Sequence, residues 1–242
     1  MKLIFVLLSS FVLLYSQEYK ELEFSSKDKL IISAHLYFDN DANKPFILLF
    51  HQASSSKGEY LEIAPKLVNM GFNVMAVDLR SGDIMNFIDN GTSDRALDKN
   101  MDTGFLSAIP DIEASVAYAK KHLAHGKLIL WGSSYSSSLS LYIANHTRDI
   151  SAVLSFAPGE YYKDKSKTFI QDNVGNLKMP VFITSAKNEK KKWWDIYQAI
   201  PSKTKTFFLP KTKGVHGSKA LWKSNASHKE YWGAVESFLK KI

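Results

Sequence analysis

Residues 127–144, KLILWGSSYSSSLSLYIA, constrain this chain more than any other stretch. A short, wholly apolar run of β type leads into Gly132-Ser133-Ser134-Tyr135-Ser136 and continues, with no Pro or Gly, into a pattern that reads as a buried helix. A strand that turns straight into a helix through small-x-Ser-x-small brings two backbones almost into contact, so only small residues fit on either side of the central Ser. Such a turn lifts that Ser clear of the sheet. Ser134 is therefore the candidate nucleophile, and the plainer alternative is a Ser-rich turn that caps an ordinary helix.

The rest of the 242-residue sequence has to supply a domain that can hold such a turn. With 45% hydrophobic and 13% aromatic residues it suits a single α/β domain over residues 17–242. Ahead of it, Met1 and Lys2, an apolar run over 3–14 and the small Ser16 form a secretory signal peptide over residues 1–16, too short for a stable membrane span. A cleaved leader implies a periplasmic or secreted protein. The absence of Cys excludes disulfides, a thiol nucleophile and a lipid-anchored Cys. The net charge of +7 includes one dense Lys patch at 187–192. Without aromatics interleaved on a regular face, that patch does not read as a nucleic-acid site, though the basic balance favours an anionic substrate or envelope surface.

Along the chain, residues 21–25 and 30–38 read as an antiparallel N-terminal hairpin, and 45–51 (PFILLFH) as a strand buried on both faces. Residues 58–70 carry a helical apolar pattern closed by Gly71, with Pro65 predicting a kink or a later start. A buried strand follows at 72–79. Residues 80–110 read as an irregular excursion with short helical pieces, then a helix over 111–122 with Pro110 near its first turn. Strands are predicted at 128–131, 152–156, 181–185 and 206–209, with helices after Ser134, around 193–200 and near 231–240. This alternation predicts a doubly wound, mostly parallel sheet of about eight strands. Two smaller expectations are that Trp193-Trp194 serve packing, and that Asp78 and Arg80 fix their loop to each other. His122 and His125 lack a third ligand, so no metal site is expected.

Six segments, FILLFHQASSSKGEY, FNVMAVDLRSGD, LILWGSSYSSS, LSFAPGEYY, PVFITSAKNE and KGVHGSKAL, lie in the order and at the spacings of a known superfamily. From about Glu21 to the end the chain resembles the α/β-hydrolases, and within them the dienelactone-hydrolase-like branch. The resemblance implies a Ser, acid and His triad in that chain order. His216, between Gly214 and Gly217, is then the general base, since flanking glycines let a loop carry an imidazole back over the sheet edge. The acid falls at Asn188 or Glu189, depending on a one-residue register, and Glu189 is preferred because an amide stabilises imidazolium poorly. Glu160, at the end of the preceding strand, is the alternative. Oxyanion donors are implied at the Tyr135 N–H and at Ala53 or Gln52, with His51 orienting their loop.

The sequence departs from that branch in three places. True dienelactone hydrolases use a Cys nucleophile, Ser136 replaces the usual Gly, and Asn188 stands near the acid position. The function expected is an exported serine hydrolase that acts on a small-molecule ester, with no cofactor. The alternatives are a non-catalytic binding or scaffold protein on the same fold, or acyl transfer to an acceptor other than water.

Overall fold

The computed structural model describes residues 19–38 and 40–242; the expected signal peptide over 1–16 lies outside them. Strand β1 (Lys20–Ser25) pairs antiparallel with β2 (Ile31–Tyr37) across the polar turn, and β2 pairs antiparallel with β4 (Asn73–Val77). From β4 onward every neighbouring pair is parallel, through β3 (Phe46–Phe50), β5 (Leu128–Ser133), β6 (Ala152–Phe156), β7 (Val181–Thr184) and β8 (Thr206–Phe208). The eight-stranded order is β1-β2-β4-β3-β5-β6-β7-β8. It reverses between β3 and β5, the place where doubly wound sheets leave a crevice at their carboxyl edge.

Helices cover both faces. On one side lie α2 (Gly91–Asp98), α3 (Ile109–His122), α4 (Tyr135–His146) and α5 (Lys190–Ala199); on the other lie α1 (Ile63–Asn69) and α6 (His228–Leu239). The central strands explain why. Phe46, Leu48 and Phe50 of β3 enter one core, Ile47 and Leu49 the other, and all five are fully buried. Each such side chain stabilises the fold by about 1.5–3 kcal/mol. Pro65 is accommodated by the later start: a 3-10 turn (Lys57–Tyr60) precedes α1, which places Pro65 third in the helix, where its missing N–H costs nothing. Among the described residues no helix is long and apolar enough to cross a membrane.

The 80–110 excursion is irregular as expected, and it is tied down at both ends. Lys57 Nζ lies 2.8 Å from Asp78 Oδ2 and donates to the Asp89 carbonyl, while Asp78 also accepts the Gly91 N–H. Arg80 pairs with Asp111 and Asp28, each at 2.7 Å. Asp78 and Arg80 thus do not fix the loop to each other, because each finds an opposite charge from another part of the chain. Burial dictates this, since an unpaired charge there would be costly. Trp193 is fully buried and donates to Ser185 Oγ at 2.8 Å, so it packs; its neighbour Trp194 is half-buried on the outer face.

Candidate active site

The turn after β5 is tight and strained. A Cβ on Gly132 would lie 2.4 Å from both the Ser136 carbonyl oxygen and the Ser137 Cα, so no larger residue fits two places before Ser134. Ser134 itself has φ 58 and ψ −122. A non-glycine residue held there carries stored strain, which the surrounding structure must over-determine. Ser136 at the usual Gly position has a local purpose: its Oγ donates to the Phe50 carbonyl at 2.7 Å and accepts the Ser133 N–H at 2.9 Å, tying the turn to the end of β3.

This geometry brings three of the expected side chains into one line. Ser134 Oγ donates to His216 Nε2 at 2.8 Å, and His216 Nδ1 donates to Glu189 Oε1 at 2.8 Å. Those contacts define the tautomer in which Nε2 is free to accept a proton. Glu189 immediately precedes α5, is 8% exposed, and takes a further ion pair from Lys192 at 3.1 Å. Burial alone would raise its pKa, but the His216 hydrogen bond and charge, helped by Lys192, hold it below the ordinary carboxylate value. Its Oε2 is buried and unpartnered.

The histidine loop reaches Ser134 because of a glycine. Gly217 has φ 71, and a Cβ there would fall 2.6 Å from Ser133 Oγ and 2.8 Å from Gln52 Oε1. Glu160 is not part of this line. Its carboxylate accepts the Ile170 and Gln171 N–H groups, both at 2.8 Å, and so secures the loop that follows β6. Asn188 points to solvent while Glu189 next to it is buried, which resolves the one-residue register.

The two proposed oxyanion donors separate in the same way. The Tyr135 N–H opens α4, where it has no acceptor within the helix. The Gln52 N–H is taken by Glu59 Oε2 at 2.9 Å and is not available, whereas no hydrogen bond among the described residues engages the Ala53 N–H. His51 is fully buried, donates from Nδ1 to the Gln52 carbonyl at 2.7 Å and accepts the Leu79 N–H at Nε2 at 2.9 Å. Burial depresses its pKa to about 4, so it stays neutral and shapes the loop.

Sequence reasoning missed Glu59. This fully buried carboxylate accepts from the Gln52 N–H, from Ser55 Oγ at 3.2 Å and from Ser133 Oγ at 2.7 Å, and Ser133 Oγ in turn accepts the Ser218 N–H at 2.9 Å. It therefore joins the Gln52-Ala53 loop, the turn before Ser134 and the loop of His216. Burial raises its pKa against the lowering effect of those donors. The only sequence signal was a Glu in the first turn of the helix predicted over 58–70, off its apolar positions, which reads as a surface residue.

Beside Ser134 stands the Tyr161 hydroxyl, which donates to the Ala157 carbonyl at 2.8 Å. From Tyr161 a cleft of about 790 Å³ extends between the 80–110 excursion, which contributes Arg80, Asp102 and Phe105, and the segment after β6, which adds Tyr162 and Lys165. Phe105 stacks on Tyr135 with 4.5 Å between ring centres.

A family model described as "Dienelactone hydrolase family" matches residues 32–206, most of the chain. The chain belongs to the dienelactone hydrolase family. Membership in this hydrolase family agrees with the sheet order and the strand-to-helix turn at Ser134. Solved structures share the fold at low identity. The Pyrococcus furiosus esterase Pf2001 superposes with a TM-score of 0.73 at 16% identity, covering 93% of each chain. A dienelactone hydrolase from Anabaena variabilis gives 0.72 at 12% identity, over 94% of this chain and 99% of that one. Est1E from Butyrivibrio proteoclasticus, solved with ferulic acid, gives 0.70 at 14%, over 91% and 98%. No curated protein matches the sequence.

Proposed function

We propose that this member of the dienelactone hydrolase family is an exported serine hydrolase that cleaves carboxylic esters of small molecules through an acyl-enzyme on Ser134. The observation that carries this reading is the continuous relay from Ser134 Oγ through His216 to Glu189, with both contacts at 2.8 Å, built on a strained turn. Hydrogen bonds of this length are what general-base activation of a hydroxyl requires.

In the first half-reaction the Ser134 oxygen attacks the ester carbonyl carbon while its proton passes to His216 Nε2. The carbonyl oxygen becomes an oxyanion facing the N–H groups of Tyr135 and Ala53. Collapse breaks the bond to the alkoxy group, which leaves with the proton from His216. Water then attacks the acyl-enzyme, giving its proton to His216, and release of the acid returns that proton to Ser134. Glu189 holds the imidazole orientation and stabilises the imidazolium throughout. Export rests on the apolar leader at the start of the sequence.

A fluorophosphonate probe tests the reading. Covalent labelling of the purified protein, mapped to Ser134 and abolished in Ser134→Ala, is the expected result. A folded protein that neither labels nor hydrolyses any of a short-to-long series of p-nitrophenyl esters would overturn it.

A further inference from the structure

The positive charge of this molecule is not spread evenly. Residues 187–213 hold eight lysines against Glu189 and Asp195, so this stretch carries +6 of the net charge of +7. It comprises the 3-10 turn before α5, α5 itself, the loop with Lys203 and Lys205 that enters the sheet-edge strand β8 at the amino edge, and the loop after β8 with Lys211 and Lys213 that leads to His216.

Fold stability does not account for that placement. Lys190, Lys191 and Lys192 occupy the first turn of α5, where the helix dipole is positive and cations are unfavourable. Only Lys192 among them has an ion-pair partner within the described residues, Glu189. Lys190 instead sits 4.0 Å over the Trp194 ring and 5.2 Å from that of Phe207. Phe207 is 40% exposed on β8 and packs edge-on against Trp194, with 5.4 Å between ring centres. A shallow hollow of about 400 Å³, lined by Lys187, Asn188, Lys190, Lys191 and Trp194, opens on the same flank. Lys211 and Lys213 extend it, exposed, on the loop that leads to His216.

Lysines around partly exposed aromatic rings form the pattern of an interfacial surface. The ammonium groups meet headgroup phosphates, and the rings enter the boundary between headgroups and chains. We propose that this flank docks on an anionic lipid bilayer. A soluble polyanion would satisfy the lysines, but it would leave the exposed Phe207 ring with no apolar phase to enter. Docking here would set the rim carrying Ser134 and His216 close to the membrane surface, whatever reaction that rim performs.

The test is flotation of the purified protein with vesicles of phosphatidylcholine alone and of phosphatidylcholine mixed with phosphatidylglycerol. Binding is expected to the mixed vesicles only, to vanish at high salt, and to fall roughly a hundredfold in Lys187→Gln/Lys190→Gln/Lys191→Gln, the order expected for three lysines at such a surface. Phe207→Ser should weaken it independently. Hydrolysis of a soluble p-nitrophenyl ester, or the thermal melt if no ester is cleaved, should be unchanged in these variants, which shows that they are folded. Equal binding to both vesicle types, or wild-type binding by the triple variant, would overturn the proposal. So would salt-sensitive binding to polyuridylate or polygalacturonate with none to vesicles.

Discussion

Glu59 and Ser133, 74 residues apart in the chain, are joined by a 2.7 Å hydrogen bond between two fully buried side chains. Through it a single carboxylate holds the peptide before Ala53 and the residue before Ser134, and Ser133 passes the restraint on to Ser218. A glutamine in its place would set an NH2 group against a backbone N–H or a hydroxyl that must itself accept. In Glu59→Gln, kcat should fall about a hundredfold with KM little changed, because displacements of about 1 Å at reacting groups cost that much. Affinity for a boronic acid that mimics the tetrahedral intermediate should drop by the same factor. A variant with reduced stability but wild-type kcat would limit Glu59 to a packing role.

The two candidate acids separate cleanly by substitution. Glu189→Gln should lose about 10²–10⁴-fold in kcat, since the amide cannot stabilise the imidazolium. Glu160→Gln should keep activity within about twofold and lose about 1 kcal/mol of stability, as one of its two backbone hydrogen bonds becomes unfavourable. Steady-state rates and urea melts of both variants measure this, and equal rates would remove Glu189 from the relay.

Strain at Ser134 makes a stability prediction that is independent of catalysis. Both Ser134→Ala and Ser134→Gly remove the hydroxyl, but only glycine tolerates φ 58 with ψ −122 without penalty. Ser134→Gly should therefore be more stable than Ser134→Ala by about 1–3 kcal/mol in chemical denaturation.

Acid should destabilise the fold through His51. Its folded pKa of about 4 lies below the ordinary 6.5, so the unfolded chain binds the proton first as pH falls. The stability that comes from keeping this ring neutral is complete above about pH 6.5. It is lost on descending toward pH 4, by up to about 1.4 kcal/mol per pH unit. His35, depressed to about 3 mainly by burial, extends the loss to lower pH. Urea midpoints between pH 7 and pH 5 should fall less steeply in His51→Gln than in the wild type.

Where the site was legible in the sequence, one residue type answered one steric or chemical demand. Gly132, Ser134 and Tyr135 follow from a strand that must turn into a helix without clash, and the glycines around His216 mark a loop that has to come close. The acid was ambiguous because Asn188 and Glu189 differ by a single step in a 3-10 turn (Lys187–Glu189), and only the turn decides which side chain faces inward. Choosing between Gln52 and Ala53 required the orientation of one peptide, which Glu59 fixes from outside the loop. Glu59 itself left no periodic signature, because its partners are a loop just before it and Ser133, 74 residues further on. The fold was easier to read, since β3 and β5 are apolar on both faces and only a covered sheet satisfies that pattern.

The paired charges that bolt the 80–110 excursion in place bear on how substrate comes and goes. Arg80 to Asp111 clamps the entry and exit of that wall to each other, and Lys57 to Asp78 holds its entry to the turn after β3. On the proposed reading, an ester small enough for the cleft meets a relay already assembled, with Ser134, His216 and Glu189 in hydrogen-bond contact before it arrives. If the proposed reaction holds, turnover should be governed by bond making and breaking at Ser134, and thickening the solvent with a viscogen should leave it unslowed.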